Sequence, residues 1–412
     1  MATVLLIGTL DTKGVEFDFI RQKVRAAGCD VILVDAGIGL DPPGAPQVPT
    51  DISREDVALA AGANVAELAA QRDRGTAVTT MAAGATAIAL KLFSEGRLNG
   101  VLGMGGSGNS TIAAQAMRAL PIGVPKFIVS TLASGDTRPY MGESDIAMMY
   151  SVVDIAGINQ LSEQILTNAA NAIAGMARGH AIYQSQQAAK PLIGATMFGV
   201  TTPCVTEARA VLERHSYEVL VFHATGSGGR SMEALVKSGF LAGVLDATTT
   251  ELADELVGGI LSAGPDRLEA AGAKGVPQVV SLGALDMVNF GPMDTVPAKF
   301  RDRKFYKHNA AVTLMRTTPD ECAELGRLIA RKLNQTHGPT ALFVPLRGIS
   351  MIATAGQPFH NPEADRALID HVKANLDTRK VALHELDMDI NDPRFAQAMA
   401  DALIKMIEVV AT

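Results

Sequence analysis

The sequence predicts an α/β protein of two domains, in which mostly parallel β-sheets are flanked by helices. Short apolar runs alternate with amphipathic stretches along nearly the whole chain, and this alternation indicates βαβ units. The 39 glycines gather at the ends of the predicted strands. A chain of 412 residues is long enough for two or three domains with large hydrophobic cores.

The first predicted domain covers residues 1–182. Residues 3–8, TVLLIG, form the unbroken apolar run of a buried strand, and Phe17, Ile20 and Val24 then recur at the spacing of one helix face. The same two patterns continue through this half. They predict strands at 3–8, 30–35, 99–103, 125–131 and 146–153, and helices at 14–27, 54–73, 84–95, 109–119 and 155–179.

A polar stretch, Tyr183–Lys190, is the predicted boundary before a second domain at 190–412. Residues 193–226 repeat the strand, turn, helix and strand of residues 7–37, and Gly-Ser-Gly at 106–108 recurs at 226–228. This repeat favours two α/β domains of related build. The second domain has predicted strands at 191–198, 218–223, 243–247, 276–282, 310–316 and 340–346, and helices at 203–215, 231–238, 249–259, 319–334, 363–375 and 393–409.

The composition argues against nucleic acids and membranes as partners. The formal net charge is −7, Trp is absent and aromatic residues make up 4% of the chain, so the residues needed for phosphate neutralisation or base stacking are scarce. We expect no membrane span, because no apolar stretch approaches the roughly 20 residues that cross a bilayer. The three cysteines are far apart, which favours a cytoplasmic protein without a disulfide framework.

The loops that follow the strands are the candidate sites, because ligands of open parallel sheets bind beyond the carboxyl ends of the strands. The first loop combines a tight turn, hydroxyls and an ammonium group before a helix start, which suits a polyphosphate. We expect Lys13 to face phosphate charge and Asp11 to orient Mg²⁺. Alternatively, Asp11 or Thr12 only caps the helix. The candidate residues are Gly8, Thr9, Asp11, Thr12, Lys13 and Gly14.

The second loop follows the strand at 99–103. Gly103, Gly105 and Gly108 match GxGxxG between a strand and a helix, although the dinucleotide fingerprint belongs at the first βα turn of a domain. The alternative is close packing of the helix on the strand, with Asn or Ser as the cap. The candidate nucleotide-binding residues of this loop are Gly105, Gly106, Ser107, Gly108, Asn109, Ser110 and Thr111.

Two more positions complete the predicted nucleotide site. Asp35 ends the second strand, where a carboxylate either bonds a ribose hydroxyl or caps the next loop. Thr131 belongs to a third loop, Ser130–Tyr140. In that loop Arg138 either holds a carboxylate or phosphate, or forms a salt bridge with Asp136.

The second half of the chain offers weaker candidates for acid–base chemistry. His223 begins a fourth glycine-rich loop, His223–Ser231, and is either an acid or base near neutral pH or a structural hydrogen-bonding residue. The others are equally well explained as loop hydrogen bonds or salt bridges. They are Arg230, Asp286, Asn289, Lys307, His308, Arg347, Gly348 and Ser350.

The motifs GTLDTKG, GMGGSGNST, STLASGD, HATGSGGR, LGALDMVNFGP and PLRGIS occur in this order along the chain. Together they resemble the Tm-1-like ATP-binding domain family, also called the UPF0261 family, over residues 1–412. The resemblance implies two Rossmann-like domains, each a mostly parallel sheet flanked by helices. It also implies ATP binding, with the nucleotide loops at Gly8–Gly14 and Gly105–Thr111. Plant members carry a further TIM-barrel domain and self-associate.

The leading hypothesis is therefore a protein that binds ATP with Mg²⁺, and whether it is an enzyme stays open. The alternative is a hydrolase or lyase that acts on a small carboxylate or phosphorylated metabolite together with a TIM-barrel partner. A nicotinamide oxidoreductase is a third hypothesis, which rests only on GxGxxG and Asp35. We expect a homodimer or larger homo-oligomer from the high apolar content and the family resemblance.

Overall fold

The computed structural model describes residues 1–38, 48–183 and 190–411 and divides into two compact units, Met1–Gln186 and Gln187–Thr412. Each unit is built on a parallel β-sheet with helices against it, which confirms the predicted fold class. Most of the predicted linker, residues 184–189, lies outside the described residues.

The amino-terminal unit contains one five-stranded sheet. Its strands are β1 (Thr3–Gly8), β2 (Asp30–Asp35), β3 (Gly100–Gly105), β4 (Lys126–Ser130) and β5 (Ala147–Tyr150). They are parallel throughout, in the order β2-β1-β3-β4-β5. The helices are α1 (Leu10–Ala26), α2 (Arg54–Ala60), α3 (Val65–Gln71), α4 (Arg74–Ser94), α5 (Ser107–Ala119), α6 (Arg138–Met141) and α7 (Gln160–Ile182). Apolar residues of α1 and α7 cover one face of the sheet, and those of α2, α4 and α5 cover the other.

The strand order fixes where a ligand would bind in this unit. The chain passes from β1 to β2 on one side and then to β3 on the other. In sheets of this order the ligand crevice lies where the strand order reverses, beyond the carboxyl ends of the first and third strands. The loops at 8–14 and 105–111 follow β1 and β3, so the topology brings the two predicted nucleotide loops to that point.

The carboxyl-terminal unit contains a six-stranded parallel sheet and a small antiparallel one. The parallel sheet has the order β14-β13-β9-β8-β6-β7, and the antiparallel sheet has the order β10-β12-β11. The strands are β6 (Leu192–Met197), β7 (Glu218–His223), β8 (Leu241–Thr248), β9 (Gln278–Gly283), β10 (Met287–Phe290), β11 (Phe305–Lys307), β12 (Thr313–Arg316), β13 (Thr340–Pro345) and β14 (Val381–Leu386). The helices are α8 (Thr202–Arg214), α9 (Ser227–Lys237), α10 (Glu251–Val257), α11 (Ala270–Lys274), α12 (Pro319–Leu333), α13 (Pro362–Asn375) and α14 (Pro393–Ala411).

In this second unit the strand order reverses at β6 and β8, and the protein's own side chains occupy that end of the sheet. Val200 after β6, Ala284 after β9 and Ile352 after β13 belong to one buried apolar cluster. Two backbone bonds tie the same loops together, from Met351 N to the Val200 carbonyl at 3.0 Å and from Ala284 N to the Ile349 carbonyl at 2.8 Å. The carboxyl ends of these strands are therefore packed against one another's loops.

Several elements differ from those predicted. The single helix expected at 54–73 is two short helices, because Gly62 takes a positive φ of +71° and Asn64 caps α3. Helix α4 begins at Arg74 rather than near residue 84, since the Asp73 side chain accepts from the N–H groups of its first turn. Strands β10, β11 and β14 were not expected. Only the first residue of β14 is buried, so this strand lacks a continuous apolar run.

Helix α4 corrects the expectation that no segment could span a membrane. An 18-residue window of this 21-residue helix has a mean hydropathy of 1.4, which suffices by length and composition alone. The helix packs in the core through Ala77, Met81, Ala85 and Leu92. A single helix of this kind is weak support for a membrane span, because the core helices of globular proteins pass the same test.

The predicted internal repeat has two parts, and only the strand–helix–strand part occupies equivalent positions in the two sheets. Residues 7–37 form β1-α1-β2, and residues 193–226 form the equivalent β6-α8-β7. The Gly-Ser-Gly triplet at 106–108, however, follows β3, whereas the triplet at 226–228 follows β7, which corresponds to β2. The two triplets thus stand at non-equivalent strand ends.

Candidate functional site

The loop between β1 and α1 has already used most of its backbone N–H groups. Leu10 N donates to Asp35 Oδ1 at 3.1 Å, and the N–H groups of Thr12 and Lys13 donate to the Thr9 carbonyl at 3.3 and 3.0 Å. Lys13 breaks the helical pattern with φ −131° and ψ 20°. This loop therefore presents side chains, rather than a row of open amides, toward the crevice.

The side chains of the same loop are partly engaged. The Lys13 ammonium donates to the Ile155 carbonyl, and the hydroxyls of Thr9 and Thr12 are 3.3 Å apart. Gly14 is buried at the start of α1. A Cβ on Gly8 would lie 2.3 Å from the Phe17 ring, so packing against α1 explains why this position is glycine.

The Asp35 carboxylate stabilises the turn between β1 and α1. Its carboxylate accepts from the N–H groups of Leu10 and Gly37 at 3.1 and 2.9 Å and pairs with Arg54 at 2.7 Å. Burial raises the pKa of Asp35, although these partners oppose the shift. Because both oxygens are in use, the capping interpretation accounts for Asp35 and a ribose contact is not needed. The Asp11 side chain lies against Gly37, with its Oδ1 2.7 Å from where a Cβ on Gly37 would be.

The loop between β3 and α5 differs from the loop between β1 and α1 in the use of its backbone N–H groups. Helix α5 begins after Gly106, which has no side chain to cap it. Within the described residues, the backbone N–H groups of Gly106, Ser107, Gly108 and Asn109 donate to no protein acceptor. Four consecutive N–H groups at the start of a 13-residue helix are thus open, and the partial positive charge of the helix dipole adds to them.

Asn109 links this helix to the reversal point of the sheet. Its Nδ2 donates to the carbonyls of Ile7 in β1 at 3.3 Å and Met104 in β3 at 2.6 Å. The residue is 5% exposed, and its Oδ1 has no hydrogen-bond partner among the described residues. Gly105 has φ +154°, and a Cβ there would lie 2.9 Å from the Asn109 Cβ, so glycine is required for this close approach.

The remaining predicted residues of this loop support its shape. The Ser110 hydroxyl bonds that of Ser130 at 2.8 Å, and the Thr111 hydroxyl donates to the Ser107 carbonyl at 2.9 Å. Thr131 N donates to the Gly105 carbonyl at 3.2 Å. The Thr131 hydroxyl lies 3.7 Å from where a Cβ on Gly106 would be, which leaves it beside the open amides.

A cation that the sequence did not single out stands next to the same amides. Arg74 begins α4, and its Nη2 lies 3.5 Å from the position of a Cβ on Gly108. The side chain is exposed and forms no hydrogen bond or ion pair within the part of the chain that the structure describes. An arginine matches the oxygens of a phosphate or carboxylate with two parallel hydrogen bonds. Arg74 and the amides of α5 together form an arrangement that suits an oxyanion.

The residues that the structure describes do not supply a complete metal site by themselves. Among the described residues, no group of three His, Cys, Asp or Glu side chains is close enough to hold a metal ion. Mg²⁺ in nucleotide sites commonly takes only one or two protein carboxylates, with water and phosphate oxygens as the other ligands. Asp11, near the end of β1, fits that limited role.

The third loop contains a local ion pair. Arg138 pairs with Asp136 at 2.7 Å, with side chains that are 89% and 53% exposed. The Arg138 guanidinium holds the pKa of Asp136 at about 2. These two residues bond to each other within one turn, which is the second of the two interpretations that the sequence allowed.

The fourth loop resembles the second in sequence and differs from it in contacts. The N–H groups of Gly226 and Gly229, at the start of α9, donate to Glu251 Oε1 at 2.7 and 3.0 Å. Arg267, fully buried, pairs with the other oxygen of Glu251 at 2.7 Å and with Asp246. A carboxylate of the protein thus occupies the place where an anion would bind. His223 is exposed beside the Phe198 ring, with ring centroids 5.4 Å apart.

Among the weaker candidates of the second half, the structure joins Asp286 and Ser350 by a direct hydrogen bond. Asp286 is fully buried and accepts from the Ser350 hydroxyl at 2.7 Å, and burial raises its pKa to about 6. Asn289 donates to Asp254 at 2.6 Å. Arg347 pairs with Asp387 at 2.6 Å on the surface.

Comparisons with known proteins establish the family. Residues 2–181 match the model of the UPF0261 N-terminal domain and residues 190–407 that of the C-terminal domain, both described as uncharacterised. The chain belongs to the UPF0261 family. A UPF0261 protein from Clostridium tetani is 52% identical over 98% of this chain and 99% of its own length. The ToMV resistance protein Tm-1(GCR237) of Solanum lycopersicum is 39% identical over 98% of this chain and 55% of its own length.

Solved structures add little to this assignment. A putative UDP-N-acetylglucosamine 2-epimerase from Listeria monocytogenes is 11% identical and covers 68% of this chain and 78% of its own, with a TM-score of 0.23. A TM-score this low does not support a functional assignment. Any functional statement about this UPF0261 chain therefore depends on its own residues.

Sequence reasoning missed two residues of this UPF0261 chain that decide how its glycine loops differ. Arg74 lies just after the predicted helix at 54–73 and far from the glycine motif, and Glu251 lies near the start of the predicted helix at 249–259. Neither residue carries a local signal, because both reach their glycine loops only through the packing of neighbouring elements.

Proposed function

We propose that this chain binds ATP with Mg²⁺ in its amino-terminal unit, and that the phosphates lie at the start of α5. The observation that carries the proposal is the run of open backbone N–H groups from Gly106 to Asn109, placed where the strand order reverses. Backbone amides at a helix start are a common phosphate-binding arrangement. The buried Asn109 Oδ1, which has no partner in the described residues, is a further polar group at this helix start.

Side chains around the amides supply the charge that a polyphosphate requires. Arg74 stands beside Gly108 and is the first candidate for a phosphate contact. Lys13 would contribute after its ammonium leaves the Ile155 carbonyl. Asp11 would hold Mg²⁺ from the β1 side, with the phosphates and water completing the coordination. Asp35 takes no part in this proposal, because its oxygens already hold the turn.

Titration calorimetry with ATP and Mg²⁺ tests the proposal. Arg74→Ala is expected to weaken binding about tenfold, because one charge-assisted hydrogen bond contributes about 1.5 kcal/mol at an exposed site. Arg25→Ala is the matched control, since Arg25 is exposed at the far end of α1. Absence of ATP binding by the unaltered chain at millimolar concentration would refute the proposal. A parallel titration with NADH separates it from the oxidoreductase hypothesis, which predicts tighter binding of NADH.

The localisation and the oligomeric state of the chain are also proposals. We infer a cytoplasmic homo-oligomer, supported by three buried free cysteines and by exposed apolar side chains such as Leu59 and Ile260. Light scattering coupled to gel filtration measures the assembly directly, and a monomer would contradict it. The tomato relative extends well beyond the matched region, which keeps a separate TIM-barrel partner for this chain among the hypotheses.

A further inference from the structure

A cavity lies in the carboxyl-terminal unit, at the end of β13. It has a volume of about 490 Å³ and is formed by the loop after β13 and one face of helix α13. Cavities of this size are typical of small-molecule sites. The loop is the PLRGIS motif at 345–350, which the proposed nucleotide site does not use. None of the cavity's lining residues belongs to the amino-terminal unit.

The loop presents backbone donors that the protein leaves without acceptors. The carbonyls of Gly348 and Ile349 accept from Ile390 N at 2.9 Å and Ala284 N at 2.8 Å. The N–H groups of the same two residues donate to no acceptor in the described chain, although Ile349 is 1% exposed. Buried N–H groups without a partner are rare in native proteins and call for a bound group.

The charged side chains around the cavity are mostly neutralised by partners. Asp365 pairs with the buried Arg316, and Lys373 pairs with Glu385 at 2.8 Å. Arg366 and Asp370 remain, and neither forms a hydrogen bond or ion pair within the described residues. They are one helical turn apart on α13 and both line the cavity. Lys373, which pairs with Glu385, also interacts electrostatically with Asp370. Within the described residues, the cavity therefore holds one positive and one negative side chain without a hydrogen bond or salt bridge.

These features define the ligand by its charges and its apolar part. A carboxylate suits Arg366 together with the amides of Gly348 and Ile349. An ammonium group suits Asp370. Apolar side chains of the lining, including Leu346 and Ile369, suit a hydrocarbon group. We infer that this cavity binds an α-amino acid with an apolar side chain, independently of the nucleotide site.

Saturation-transfer NMR and calorimetry with L-leucine test this inference. The full chain is titrated with L-leucine, L-leucinamide and the hydroxy-acid analogue of leucine, which differ only in the carboxylate or the ammonium group. Leucine is expected to bind, and both analogues are expected to bind at least about tenfold more weakly, because each leaves one charged group unpaired. Inorganic phosphate serves as a probe for a plain oxyanion site.

Variants assign the two contacts. Arg366→Ala is expected to weaken leucine binding about tenfold, and Asp370→Asn is expected to weaken leucine but not its hydroxy-acid analogue. Arg331→Ala is the control, since Arg331 is exposed on α12 and does not line the cavity. No leucine binding at about 10 mM, binding that both variants leave unchanged, or binding of phosphate alone would each overturn the inference. ATP titrations of the same variants stay unchanged whether or not leucine binds, so the two proposals fail separately.

Discussion

Gly108→Glu is the most informative substitution, because it would give helix α5 an anion of its own. A Cβ at this position would lie 3.5 Å from Arg74 Nη2 and 3.9 Å from Val78 Cγ2. Both are ordinary contact distances, so the backbone accommodates a side chain. A glutamate there reaches the open amides and Arg74, much as Glu251 reaches the start of α9. The glutamate carboxylate of the variant would then occupy the proposed phosphate position.

The substitution is expected to stabilise the fold. Replacing a helical glycine contributes about 0.5 kcal/mol near a helix end. A carboxylate at the amino terminus of a helix adds about 0.3–1 kcal/mol, and an exposed ion pair with Arg74 adds about 0.2–1 kcal/mol. The sum of about 1–2.5 kcal/mol corresponds to a rise in Tm of roughly 2–10 °C for a unit of this size.

Nucleotide affinity is expected to fall at the same time. Two unit charges about 4 Å apart repel by about 4 kcal/mol at the effective dielectric constant of a protein surface. Halving this value for exposure leaves about 2 kcal/mol, which is about a 30-fold loss of affinity. A protein that is more stable and yet binds ATP about 30-fold more weakly cannot be explained by misfolding.

Calorimetry with ATP and Mg²⁺, together with thermal unfolding, measures both effects. Gly108→Gln is the control, because it has the same shape and propensity without the charge, and it should retain most of the affinity. If Gly108→Glu and Gly108→Gln bind ATP equally well, the phosphates do not lie at the start of α5. In that case the reasoning from the open amides is wrong.

Two predictions concern the stability of the carboxyl-terminal unit. Arg267→Met should lower the free energy of unfolding in urea by at least about 3 kcal/mol, because it leaves the buried carboxylates of Asp246 and Glu251 without their cation; a loss under about 1 kcal/mol would contradict this. Burial raises the pKa of Asp254 to about 7, so the folded state keeps a proton that the unfolded chain releases, and stability falls as pH rises from about 4 to 7. Asp254→Asn should remove about 1.4 kcal/mol per pH unit of that slope near pH 5–6, and an unchanged slope in urea titrations would refute it.

Much of the fold could be predicted because the strands of a parallel sheet are buried on both faces. Strand β7, at 218–223, coincides with the predicted run, and β1 does as well. The edge strand β14 was missed because only part of it is buried. In the small antiparallel sheet, β12 lies within the strand predicted at 310–316. Strands β10 and β11 were missed because they are only four and three residues long, too short for an apolar pattern to be recognised.

The candidate site was predictable in its backbone and not in its charges. The sequence located the loops at 8–14 and 105–111, because a glycine-rich turn after a strand is a local signal. It could not distinguish loops whose amides are open from loops whose amides are occupied. The Asp35 carboxylate accepts from the backbone N–H group of Leu10. It reaches that group only because β1 pairs with β2.

The two Gly-Ser-Gly loops argue most strongly that the α5 site accepts a ligand from outside. Both begin a helix after a parallel strand, so both helix starts attract an anion. At α9 the protein provides Glu251, and the buried Arg267 balances its charge. At α5 it provides a cation, Arg74, and no described carboxylate accepts from the amides. A helix start supplied with a cation is completed only by a negative group, and within the described residues the chain does not supply one.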